Sequence, residues 1–204
     1  MKLMTVEQLY EKLCSKKFQD TENGDLFYNF FVYLYPADKE FEMREQIDSI
    51  KENIRRPVNN VDVLTLDIFE EFCNYMDGQS FGRYPSYLQY MLEKDKSKPD
   101  DVTKALLLKA NSDGFMQFIH NKIMEHVSKI DDEFIRPYVF MYGLGNIYPY
   151  LRTSNLLNRY EQYNRSGKYK IILFYPGDQD GASFKLFGDL EDNHTYRAIV
   201  LMNE

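Results

Sequence analysis

The sequence predicts an α/β fold in which a mainly parallel central sheet is flanked by helices. Three observations carry that expectation. Tyr138–Tyr142 and Tyr169–Tyr175 are near-continuous apolar and aromatic runs, ended by Gly143 and by Pro176-Gly177. Short runs of this kind suit strands buried on both faces. A polar, helix-periodic segment of about twenty residues separates them, the length of a crossover between parallel strands. Upstream, Phe27–Tyr35 and Val61–Leu66 are two further apolar runs, each leading into an amphipathic pattern. Ligands and partners of open α/β sheets sit at the C-terminal ends of the strands, so Tyr138–Gly188 is the expected functional edge.

Each element has its own signal. Thr5 with Gln8 forms a capping-box pair, and Val6, Leu9, Tyr10, Leu13 and Cys14 recur at helical spacing to about Lys17. A turn with Asn23-Gly24 leads into the first strand, Phe27–Tyr35, which Pro36 closes. Phe41, Ile47, Ile50 and Ile54 predict an amphipathic helix ended by Pro57. Val61–Leu66 is the second strand, and Asp67 stands where a helix N-cap is needed ahead of Ile68, Phe69, Phe72, Tyr75 and Met76.

Residues 86–130 hold three helical patterns broken at Lys94–Pro99, with Asp100 and Asp101 suited to a helix start. We expect one α/β domain over 1–204, with 86–130 as a helical insertion or side layer within it. The third strand, Tyr138–Tyr142, runs into a loop over 143–152 and a helix from about Ser154 carrying Leu156, Leu157, Tyr160 and Tyr163. The fourth strand is Tyr169–Tyr175, and Ser183–Phe187 with Tyr196–Leu201 predicts a C-terminal β-hairpin.

Composition narrows the function classes. The net charge of −7 argues against direct nucleic-acid binding, which needs a basic face to displace counterions. Residues 1–132 carry 17 Lys/Arg against 24 Asp/Glu, and residues 133–204 carry 8 of each. With 17 Tyr and 15 Phe the aromatic content is high, and tyrosine in that number serves amphipathic surface as well as core, a hint of a protein interface. Cys14 and Cys73 fit small apolar positions in a reducing compartment. The polar opening segment and the absence of any apolar run near 18 residues predict a cytoplasmic, soluble chain with no membrane contact.

The strand and helix order is P-loop-NTPase-like, but without a Walker A motif. Tyr35-Pro36-Ala37-Asp38-Lys39-Glu40-Phe41 follows the first strand, and it has no glycine to bring backbone amides to a phosphate. Asp38 and Glu40 would repel the anion, and Met141-Tyr142-Gly143 replaces the acidic metal-holding pair. Gly143-Leu144-Gly145 lacks the third glycine of a dinucleotide fingerprint, because Tyr148 and then Pro149 follow. These glycines are expected to supply positive φ or close approach at a tight strand exit. No cofactor is predicted.

Asp178, Asp180 and Lys185 invite a metal-nuclease reading, although a Glu-x-Lys on the next strand is absent and a turn explains them as well. His120, His126 and His194 lack metal spacing. Arg152 and Arg197 could form bidentate pairs with a carboxylate or phosphate. The partner- or anion-binding candidates are therefore Gly143, Gly145, Pro149, Arg152, Ser154, Asn155, Pro176, Gly177, Asp180 and Arg197. No catalytic residue and no metal ligand is assigned.

The C-terminal third resembles the BrxB family of BREX phage-resistance systems. Gly143-Leu144-Gly145, Pro149-Tyr150-Leu151-Arg152-Thr153-Ser154-Asn155-Leu156-Leu157-Asn158 and Phe174-Tyr175-Pro176-Gly177 carry the resemblance. Asp180-Gly181, Leu186-Phe187-Gly188 and Asp192–Ala198 continue it, with Thr195 where the family has an aromatic residue. Before residue 138 only length and rhythm agree. The resemblance implies a small component of a multi-protein antiviral defence system that methylates host DNA and blocks phage replication. It implies no enzyme activity of its own and a contact with the alkaline-phosphatase-like protein PglZ. Two hypotheses result: a non-catalytic adaptor, or a Mg²⁺-dependent nuclease or nucleotide-binding enzyme using Asp178, Asp180 and the arginines.

Overall fold

A computed structural model describes residues 3–20, 30–164, 167–180, 183–192 and 198–201. Four long strands, β1 (Phe30–Tyr35), β2 (Val61–Asp67), β3 (Arg136–Tyr142) and β4 (Lys170–Asp180), with the short β7 (Ile199–Val200), form a sheet in the order β2-β3-β4-β1-β7. Every neighbouring pair in that series is parallel. The α/β class with a mainly parallel sheet is as predicted.

The apolar runs alternate their side chains between two cores. Phe30, Val32, Leu34, Ile171 and Leu173 face one, and Phe31, Tyr33, Tyr35, Ile172 and Phe174 face the other. Such two-sided burial is why these strands read as continuous apolar runs. The first core is covered by α4 (Ile68–Asp77), α7 (Asp113–Val127), α8 (Leu144–Ile147) and α9 (Thr153–Tyr160). Helices α5 (Tyr87–Asp95) and α6 (Pro99–Ala110) lie on the same side, α6 inserting Ala110 into that core.

The second core is covered by α1 (Val6–Cys14), α2 (Lys16–Gln19) and α3 (Glu40–Ile54). The Thr5–Gln8 capping box forms as its spacing predicts. Hydroxyls of Tyr33 and Tyr138 donate to the carbonyls of Met4 and Leu13, each at 2.9 Å, and tie this layer to the sheet. Burial lifts the Tyr33 phenol to about 12, so it donates as a neutral group.

Two expectations are corrected. The buried stripe of α3 is Met43, Ile47, Ile50 and Ile54, whereas Phe41 points outward at 85% exposure. The helix starts at Glu40, and the 4-3-4 spacing that buries Ile47, Ile50 and Ile54 selects Met43 as its first member. The C-terminal hairpin exists, but its arms are β5 (Ser183–Leu186) and β6 (Leu190–Asp192). Ile199-Val200 instead lies parallel to β1, opposite Phe31 and Val32. Strand β4 runs past the sheet, and Gly177–Asp180 pairs antiparallel with β5. The predicted turn at Asn23-Gly24, the start of the first strand before Phe30, and Gly181, His194, Thr195, Tyr196 and Arg197 lie outside the described residues.

The free side of β2 is closed by charged side chains. Arg55 of α3 pairs with Asp62, His126 Nε2 of α7 stands 3.0 Å from the other Asp62 oxygen, and Lys51 donates to Thr65 at 3.0 Å. Val61 and Val63, 4% and 1% exposed, belong to the second core, while charged side chains beside an outer strand are a usual guard against pairing.

Candidate functional site

The strands β1, β2 and β3 end together at Tyr35, Asp67 and Tyr142, with Asp67 directly opposite Tyr142. Asp67 is the N-cap of α4, accepting from the amides of Phe69 at 3.0 Å and Glu70 at 3.3 Å. Its other oxygen accepts from Arg44 Nη1 at 2.8 Å. Arg44 Nε also reaches Glu40 at 3.1 Å, and its guanidinium lies 5.3 Å over the Tyr142 ring. The Tyr35 hydroxyl donates to the second Glu40 oxygen. Burial first, and then Glu40, raise the Tyr35 phenol far above its ordinary value.

Internal ion pairs thus occupy the place where a phosphate loop would open. The loop after β1 is a single tight turn, Ala37–Lys39, leading straight to Glu40. A phosphate brought there would meet the carboxylates of Glu40 and Asp67.

The glycines of the edge have steric reasons. Gly143 holds φ +77, and a Cβ on it would lie 2.3 Å from Asp67 Oδ1. A Cβ on Gly145 would lie 2.6 Å from Phe187 Cζ, and one on Gly177 would lie 2.1 Å from the Lys185 carbonyl oxygen. Positive φ at one glycine and close approach at the others are as expected for a tight strand exit.

The other candidates separate into buried and outward groups. Pro176 and Ser154 are buried, and Asn155 is half-buried, donating to Asn111 Oδ1 at 3.1 Å. Asn111 in turn donates to the Tyr150 carbonyl at 2.8 Å, pinning the strand exit to the end of α6. Pro149, after a cis peptide bond, and Arg152, at the start of α9, are exposed. Arg152 has no ion-pair partner among the described residues. Asp180 ends β4 opposite Ser183, and Asp178 is exposed opposite Lys185. Among the described residues, no group of three or more His, Cys, Asp or Glu is placed to hold a metal ion.

The histidines have separate environments. His120 Nδ1 lies 3.3 Å from the Tyr160 hydroxyl, which lies 3.0 Å from that of Tyr169, and burial lowers the His120 pKa. Cys14 and Cys73 are half-buried free thiols whose pKa burial raises.

The family model described as "BREX protein BrxB" matches residues 64–201, more than half of the chain; it takes in Asp67 and the segments after β3 and β4, while Tyr35, Glu40 and Arg44 lie before it. The chain belongs to the BrxB family. A BREX protein BrxB of Bacillus cereus (strain H3081.97) is 22% identical to it, covering 98% of this chain and 96% of its own. A BREX protein BrxB of Escherichia coli O9:H4 (strain HS) is 20% identical, covering 97% and 90%. No solved structure matches. Among the described residues, no helix is long and apolar enough to cross a membrane.

In this BrxB-family chain, the edge contains two residues that the sequence reading did not single out as candidates: Arg44, which ties Asp67 to Glu40, and Phe187. Phe187 has φ +59, a left-handed conformation rare for an aromatic residue, and it is 43% exposed. Its amide donates to the Pro176 carbonyl at 2.8 Å, and its ring covers Gly145. The Leu186-Phe187-Gly188 sequence was visible, but a positive φ at the residue before a glycine has no sequence signal of its own.

Proposed function

We propose that this BrxB-family chain is a non-catalytic adaptor of a BREX system, acting in the cytoplasm and binding a partner protein such as PglZ. The contact is the C-terminal edge of the sheet, with Arg152 as its charged anchor. The observation that carries this reading is how the edge distributes its polar groups. Asp67 and Glu40 are engaged by Arg44 through its Nη1 and Nε, with Nη2 buried and unpaired, and Gly143, Gly145 and Gly177 are packed against neighbours, while Arg152, Pro149 and Phe187 face outward. A rigid frame presenting an arginine, a proline and an aromatic ring suits recognition of a carboxylate-bearing protein surface.

The test is co-purification with PglZ of wild type and Arg152→Glu. The variant is expected to keep its melting temperature and to lose the complex. A variant that co-elutes like wild type, or a wild type that never co-elutes, refutes the adaptor reading.

A further inference from the structure

Helix α9 begins without a cap of its own. Arg152 has the extended backbone of an N-cap residue, φ −87 and ψ 146, but a guanidinium carries no acceptor, and no side chain bonds the first amides of the helix. The amides of Thr153 and Asn155 have no acceptor among the described residues. Thr153 supplies a separate observation. It is 4% exposed, yet its hydroxyl bonds to no described residue and is not sealed from solvent. At the first helical position the Cα–Cβ bond tilts toward the helix N-terminus. The hydroxyl is therefore aimed at the same mouth as the open amides.

We infer that a carboxylate of the partner protein, from an aspartate or glutamate side chain, caps α9 in trans. It takes hydrogen bonds from the Thr153 hydroxyl and the amides of Thr153 and Asn155, and pairs with the Arg152 fork. Charge decides the occupant. Arg152 has no ion pair among the described residues, and α9 has no acid in its first turn. The helix start itself carries partial positive charge, so the mouth draws an anion. The net charge of −7 repels a nucleic acid, which brings many phosphates at once. Apolar groups beside the mouth suit a protein instead. Pro149 is exposed, and Asn111 Nδ2 donates to the carbonyls of Tyr150 and Leu107, each at 2.8 Å, which holds Leu107, 38% exposed on α6, beside the strand exit. An arginine with apolar neighbours is the usual composition of an interface anchor.

The inference rests on the adaptor reading and deepens it by naming the group that the edge receives. The full chain expressed with PglZ tests it. In the Arg152→Lys chain, a water-soluble carbodiimide joins the introduced amine to a carboxylate in contact with it. Mass spectrometry is expected to place that link on an aspartate or glutamate of the partner. Thr153→Val keeps the shape of a buried side chain, and it is expected to weaken the complex about tenfold with an unchanged melting temperature of the free chain. Arg152→Ser supplies a cap in cis. Relative to Arg152→Ala, it is expected to raise the melting temperature of the free chain by about 2–4 °C, and yet to bind the partner more weakly, because the mouth is then filled. Links to this chain's own carboxylates alone, no link at all, a Thr153→Val complex as tight as wild type, or equal binding by Arg152→Ser and Arg152→Ala overturns the inference. Wild-type co-elution in those cases leaves the adaptor reading standing, whereas a wild type that never co-elutes refutes both.

Discussion

Replacing Gly143 with alanine tests whether the strand exit is a steric lock between β3 and the cap of α4. An alanine forced to φ +77 costs about 1–2 kcal/mol for the left-handed backbone. Its Cβ would lie 2.3 Å from the Asp67 oxygen that two amides hold, in a carboxylate whose other oxygen Arg44 holds, so the carboxylate must move. Losing the cap removes about 1 kcal/mol, and the stretched hydrogen bond to a charged arginine removes about 1–2 kcal/mol more. The total, about 3–5 kcal/mol, should lower the melting temperature by on the order of 10 °C in a chain of this size. Differential scanning calorimetry of Gly143→Ala, Asp67→Ala and the double variant separates the contributions. With the carboxylate gone, only the backbone part should remain, leaving a coupling of about 2–3 kcal/mol. A loss below about 1 kcal/mol in Gly143→Ala, or the same loss in both backgrounds, refutes the lock.

Three further outcomes are expected. Gly177→Ala pushes a methyl into the Lys185 backbone, where no side chain can swing aside, so the β4–β5 arm should detach and become cleavable between residues 178 and 190 in limited proteolysis; a protected arm would contradict this. Phe187→Asn relieves a left-handed aromatic residue, so the melting temperature should hold or rise by about 1–3 °C while binding of the edge partner falls; unchanged binding would remove Phe187 from the interface. Burial depresses the His120 pKa, so the folded state binds fewer protons than the unfolded one just below about pH 6.5, and stability is lost as pH falls through that value. Melting temperatures of wild type and His120→Gln from pH 7.5 down to about 5.5 should therefore converge; parallel curves would contradict the assignment.

Much of this frame is legible in the sequence because its signals are local. The Thr5–Gln8 box, the Asp67 cap and the runs in β2, β3 and β4 each fix a conformation within a few residues. The glycine pair after β3 announced a tight exit, although which neighbours demanded it, Asp67 and Phe187, are 76 and 42 residues away and depend on the tertiary fold. The sequence misled where two periodic solutions compete. Phe41 is two residues before Met43 and more apolar than its position permits, so the stripe was started on the wrong residue. The partner of Ile199-Val200 was equally hidden, because a two-residue strand has no pattern with which to choose between β5 and β1. At the candidate site, burial divided residues that looked alike in sequence. Ser154 and Pro176 turned inward, while Arg152, two residues before Ser154, did not.

The charged seal on β2 limits how copies of this chain can combine. With Arg55, Asp62, His126, Lys51 and Thr65 engaged along one margin of the sheet, and a two-residue strand at the other, the described residues present no long strand margin clear of charged side chains. Charged side chains of this kind disfavour edge-to-edge pairing at β2. Contacts between copies, where they form, are then left to strand ends and helix faces.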